Sequence, residues 1–110
     1  MLHFLLVPAV LAKMVAEDNL HFYVSGNDLL RECTSKTVLS QQGCMAYLQG
    51  VADSIGVART LAGQDACMEP SVTAGQLRDV TVQYLQRNPA NRNLPASQQA
   101  NNAFREAWHC

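Results

Sequence analysis

The sequence predicts a small all-α domain: a four-helix bundle stapled by disulfides, with a fifth helix if the N-terminal apolar run forms one. Three observations carry this. Apolar residues recur at helical spacing in four separate stretches. Two of those stretches open on capping-box spacings, while strand-like alternation is essentially absent. Finally, 110 residues with four cysteines make a chain that buries a modest core and has the means to staple it.

Residues 2–12, LHFLLVPAVLA, form an apolar run of signal-peptide length, followed by small residues suited to cleavage at Ala12 or Ala16. No Lys or Arg precedes the run, and Lys13 follows it. The alternative to export is a core helix. The expected organisation is a signal peptide over 1–16 and one helical domain over 17–110. Residues 17–24 form a short connector.

Ser25-Gly-Asn-Asp28 opens the first helix. A serine with aspartate three residues on resembles a capping box, and Asp28 suits the positive end of the helix dipole. Leu29, Leu30 and Cys33 give this helix its inner face, and it stops near Ser35. Residues 34–41 are a mostly polar connector.

The stretch 44–62 is the expected centre of the fold. At 100° per residue, Cys44, Tyr47, Leu48, Val51, Ile55, Ala58 and Ala62 share one face. Ala46, Gly50, Val57 and Leu61 form a second apolar flank, and Gln49, Asp53 and Thr60 a narrow polar strip. A helix apolar over most of its circumference is usually buried on more than one side. Gly50 costs about 1 kcal/mol against alanine inside a helix, so it predicts the close approach of another backbone.

Gly63 is placed to end the central helix, and Pro70 precedes the next start. Thr73 and Gln76 repeat the capping-box spacing. Leu77, Val80, Tyr84 and Leu85 then face one way, until Pro89 stops the third helix. Residues 88–93 are a polar turn. Pro95 suits the first turn of a fourth helix, lined by Ala96, Ala100, Ala103, Phe104, Ala107 and Trp108.

Four cysteines allow three pairings. Cys33 and Cys44 flank the first helix–helix turn at similar distances, so an antiparallel hairpin sets them level. Cys67 precedes the third helix and Cys110 follows the fourth. The expected bridges are therefore Cys33–Cys44 and Cys67–Cys110. Metal binding is disfavoured, since the cysteines are dispersed and His3, His21 and His109 lack ligand spacing.

A net charge of −1 gives no basic field for nucleic acid, and no run reaches the length of a stable membrane insertion. No phosphate loop or nucleophile elbow is present, and no cofactor is implied. Asp53 reads as a helix-surface carboxylate or a local structural hydrogen bond, and Tyr47 and Trp108 as core anchors. Arg87 and Arg92 are turn charges, solvated or in contact with a partner.

The series Ser25-Gly-Asn-Asp-Leu-Leu30 with Cys33, Cys44-x-x-Tyr47-x-x-Gly50-Val-x-Asp53, and Cys67-x-x-Pro70 resembles the Rap/Tai family. Val72-Thr with Gln76-Leu, Tyr84-Leu with Asn88-Pro89, Leu94-Pro-Ala96 and the closing stretch 104–110 continue the likeness over about residues 25–110. The resemblance implies a small exported helical immunity protein of a type VI secretion system. Such a protein neutralises a peptidoglycan amidase effector in the periplasm, without catalysis and often as a homodimer. A blocker of a concave, papain-like cleft presents something convex and stiff. On that reading Gly63, Gln64, Asp65, Ala66 and Glu69 form the plug, and Arg87, Asn88, Asn91 and Arg92 a supporting patch. The other class of function open to this sequence is a periplasmic helical stress or chaperone-like binding protein without a toxin partner.

Overall fold

The computed structural model describes residues 21–109. Over this span the chain forms α1 (Gly26–Cys33), α2 (Val38–Leu61), α3 (Ala74–Arg87), a 3-10 turn (Pro89–Asn91) and α4 (Ala96–Trp108). No strand is present among the described residues, and the all-α class is as expected. The expected signal peptide over 1–16 and Cys110 lie outside the described residues.

Both expected capping boxes are formed. The Asp28 N–H donates to Ser25 Oγ and the Ser25 N–H to Asp28 Oδ2, each at 3.1 Å. At α3 the Gln76 N–H donates to Thr73 Oγ1 at 3.1 Å, and the Thr73 N–H to Gln76 Oε1 at 2.8 Å. Each box satisfies N–H groups that the first helical turn leaves without partners.

The central helix starts earlier than expected, at Val38 rather than Cys44. Thr37 caps it, accepting from the Ser40 N–H at 3.3 Å. The polar connector thus shrinks to a tight turn, in which Gln41 Nε2 also donates to the Ser35 carbonyl at 3.1 Å. Gly63, at φ 73°, ends the hydrogen-bonded turn after α2 in the left-handed conformation that glycine adopts without steric penalty.

Leu29, Cys33, Cys44, Leu48, Leu77, Leu85, Ala96, Ala100 and Phe104 make one buried cluster joining all four helices. The Cys33–Cys44 disulfide lies within it and closes the α1–α2 hairpin. Trp108 is half-buried, with its ring centroid 5.9 Å from that of Phe104. Tyr47 is half-buried against the cluster, so both expected anchors pack on the core. Cys67 is disulfide-bonded, and no described cysteine is free.

Two expectations for α2 are corrected. Among its 24 residues only Cys44 and Leu48 are fully buried. The second flank faces outward: Ala46 and Gly50 are exposed, as are Val57 at 59% and Leu61 at 84%. Among the described residues, nothing lies within 4 Å of a Cβ built at Gly50, so no described backbone packs against it. The cause is supply. The other three helices cover one side of α2, and a chain of this size has no further described element to cover the rest.

The close glycine contact falls at Gly26 instead. A Cβ there would lie 2.9 Å from the Arg92 carbonyl oxygen and 3.1 Å from Leu85 Cδ2. This lets the Gly26 N–H donate to the Leu94 carbonyl at 2.9 Å and the Asn27 N–H to the Arg92 carbonyl at 2.7 Å. The start of α1 is thereby stitched to the strap before α4. On the other side of the strap, the Ala96 N–H donates to the Val24 carbonyl at 2.8 Å.

Candidate partner-binding surface

The segment after α2 is exposed over residues 62–66 and is held at both ends. At its start the Gln64 N–H returns to the Arg59 carbonyl at 2.9 Å, while Arg59 Nε donates to the Asp65 carbonyl at 2.6 Å. At its end Cys67 is disulfide-bonded, and Met68 and Val72 pack against the core. What projects between these fixed points is Gln64, Asp65 and Ala66. Between α2 and the stretch that leads into α3 lies a hollow of about 280 Å³, lined in part by Gln49, Asp53, Met68, Glu69 and Leu77. Asp53 is an exposed side chain on the wall of this hollow, consistent with a helix-surface carboxylate.

The turn after α3 is built differently. Asn88 Nδ2 donates to the Tyr84 carbonyl at 2.8 Å, closing the helix end, and Asn102 Nδ2 donates to the Tyr84 hydroxyl at 3.3 Å. Arg87 is paired with Glu106 of α4 at 2.9 Å, and that hydrogen bond raises its already high pKa. Asn91 is exposed. Arg92 is half-buried, its backbone bound to α1 as described, and its Nε is buried without a hydrogen-bond partner. Arg92, expected as a turn charge, thus also serves the strap through its backbone carbonyl.

These two segments sit at opposite ends of α3. The helix has 14 residues, about 21 Å. One copy of the chain does not bring them into one compact patch.

Sequence reading missed two buried polar residues, Thr81 and Gln99, each with an unpaired side-chain oxygen. Thr81 follows the expected inner-face residue Val80, and Gln99 precedes Ala100; only a full wheel of each helix would have found them. It also missed the open groove of about 1100 Å³ between α2 and the start of α4, walled by Tyr47, Val51, Ile55, Leu94 and Pro95. Among the described residues no group of His, Cys, Asp or Glu is arranged to hold a metal ion. No described helix is long and apolar enough to cross a membrane.

The model of the Rap1a immunity proteins matches residues 25–110, from the first capping serine to the final cysteine. This chain belongs to the Rap1a immunity protein family. No curated protein and no solved structure matches it. The matched span contains every element described above, from the α1 cap to the end of α4. Family membership carries an immunity role, protection through binding a toxin partner.

Proposed function

We propose that this Rap1a family protein is a non-enzymatic inhibitor of a type VI secreted peptidoglycan amidase. It acts in the periplasm after export through its N-terminal segment and occludes the amidase's active-site cleft. The observation that carries the mode of binding is the segment 63–69, exposed over 63–66 and at Glu69 and fixed at both ends. A loop ordered before binding loses less conformational entropy in the complex. The family match supports the immunity role, and the buried Cys33–Cys44 bridge suits an oxidising compartment. The turn around Arg87, Asn88 and Asn91 is the supporting patch. Its distance from the plug along α3 favours a dimer, in which a second copy supplies it.

The test is inhibition of the cognate amidase. Gln64→Ala with Asp65→Ala should weaken inhibition about tenfold or more, as expected for groups near the centre of an interface. Arg87→Ala with Asn91→Ala should weaken it less, since rim charges contribute little. Arg92 is left intact because it is half-buried and its Nε is buried. Folded variants that both inhibit with unchanged affinity would move the contact surface elsewhere, to the outward side of α3 around Arg78 and Gln83.

The exposed apolar flank of α2 is the one observation that favours a helical stress or chaperone-like protein. Suppression of client aggregation at low pH, without any amidase inhibition, would select that reading.

A further inference from the structure

We propose that the hollow between α2 and the stretch leading into α3 is an anchor pocket for one basic side chain of the amidase, an arginine or lysine whose cation sits between Asp53 and Glu69. The proposal rests on the inhibitor reading above and adds to it a second contact, beside the plug, with a stated partner chemistry.

The two walls are built independently, and both are stiff. On α2, Gln49 and Asp53 stand one turn apart, so their side chains share one face. Opposite them, Glu69 opens a turn in which the Val72 N–H donates to the Glu69 carbonyl at 3.1 Å. Pro70 holds the second position of that turn, which its fixed φ suits. The bonded Cys67 precedes the turn, and the Thr73 cap of α3 follows it. The backbone thus places Glu69 from both sides, although the residue is exposed. Between the walls the floor is apolar. Leu77 is 5% exposed, and Met68 and Val72 are half-buried.

A volume of about 280 Å³ lies below the usual range of pockets that enclose a small molecule, so the size suits one inserted side chain. The lining selects which. Among the described residues neither Asp53 nor Glu69 makes a side-chain hydrogen bond or an ion pair. The nearest cation to Asp53 along the chain, Arg59, is turned about 120° from it around α2 and is engaged with the Asp65 carbonyl. Arg78 is paired with Asp79 at 3.2 Å. Asp65, in the adjoining plug, adds a third carboxylate.

An apolar side chain entering the hollow would strip water from both carboxylates and give nothing in exchange, and an acidic one would add repulsion. A lysine or arginine instead lays its aliphatic stem on Met68 and Leu77. It brings donors to the two carboxylates and to the Gln49 amide oxygen. The same charges act before contact. Exposed carboxylates that no described cation neutralises steer a basic surface toward this end of α2 during encounter. The hollow therefore supplies direction and selectivity, while the plug supplies occlusion.

The experiment is calorimetric titration of the disulfide-bonded protein with the mature amidase whose toxicity the parent chain relieves in cells, at low and at physiological salt. Asp53→Asn and Glu69→Gln remove the charges at nearly constant shape. Each should weaken binding about tenfold and flatten its salt dependence. Their thermal melts should match that of the parent, since neither carboxylate has a described partner in the free chain. Asp53 lies outside the plug, so its variant separates the hollow from the segment 63–66. Alanine replacement of the amidase's arginines and lysines, one at a time, should then reveal one whose effect is not additive with Asp53→Asn. Unchanged affinity and salt dependence in Asp53→Asn, while Gln64→Ala with Asp65→Ala still weakens binding, overturns the hollow and leaves the plug. Weakened binding with additive effects at every basic residue of the amidase overturns the cation as occupant. A parent chain that relieves and binds no amidase overturns the inhibitor reading, and this proposal with it.

Discussion

Replacing both Cys33 and Cys44 by alanine tests how far this domain depends on the covalent staple of its first hairpin. The bridge spans a sequence separation of 11. In the chain-entropy model, a closed loop of that length restricts the unfolded chain by about 3 kcal/mol. Cys33 is 6% and Cys44 0% exposed, so the substitution also removes two packed sulfurs from the centre of the core. That loss adds about 1 kcal/mol. The expected destabilisation is about 4 kcal/mol, a large part of a small domain's total. For a domain of this size it corresponds to a fall in Tm of about 15–30 °C. Urea unfolding followed by far-UV circular dichroism measures it, and the slope of the transition should steepen as the unfolded chain expands. The double variant leaves no orphan thiol from this pair to exchange with the bonded Cys67. A loss under about 1 kcal/mol with an unchanged slope would refute the argument, and would mean that α1 and α2 are held by packing alone.

Phe104→Ala should destabilise by about 3–5 kcal/mol in the same melt, since Phe104 is fully buried where all four helices meet. Gly26→Ala should destabilise by about 1–3 kcal/mol, although alanine is the better helix former, because its Cβ would press on the Arg92 carbonyl; a neutral or stabilising result would show that the strap shifts freely. Ser25→Ala should cost about 1 kcal/mol through the lost cap of α1, read from chemical denaturation at neutral pH. Asp28 sets a pH dependence. The Ser25 backbone N–H, then the Ser25 hydroxyl and the Arg31 guanidinium, hold its pKa below the usual carboxylate value. A depressed folded-state pKa means stability that is present above the unfolded pKa and is lost as pH falls through the folded one. Asp28→Asn should therefore flatten the acid limb of the stability–pH curve, and an unchanged limb would assign it to other carboxylates.

What could be read from the sequence was local or periodic. The caps at Ser25 and Thr73 were legible because each places its acceptor and its Asp28 or Gln76 partner within one turn. The cap at Thr37 was not, because Ser40 stands where a box would carry an acidic or amide side chain. The pairing of Cys33 with Cys44 followed from their places on either side of one turn. The part of Arg92 in the strap was not legible for the opposite reason. Its role depends on Gly26, remote in sequence, and a turn-like composition does not record which carbonyl a distant N–H will need. The flank of α2 was visible as apolar, but periodicity gives a face and not its occupant. The burial first expected of it assumed a partner element that the described chain does not contain.

The two ends of α2 also explain why a binding segment can be both exposed and stiff. The N-terminal half of the helix is fixed at Cys44 and Leu48, by a disulfide and by full burial. Its C-terminal half carries exposed side chains at Val57, Ala58, Thr60 and Leu61. A continuous helix transmits position along its axis, because displacing its tip requires breaking backbone hydrogen bonds in the ladder. The segment that follows therefore starts from a fixed point without being buried. Gly63 then reverses the chain, and the Arg59 bond to the Asp65 carbonyl holds the reversal in place. Substituting Arg59 by Met keeps most of the stem and removes the donor. Stability should change little, because an exposed hydrogen bond contributes only about 1 kcal/mol or less. Hydrogen exchange of the amides of residues 63–66 should nevertheless speed up, and inhibition of the amidase should weaken through the added ordering cost. Exchange that stays slow in Arg59→Met would show that Gly63 and the bonded Cys67 fix the segment without it.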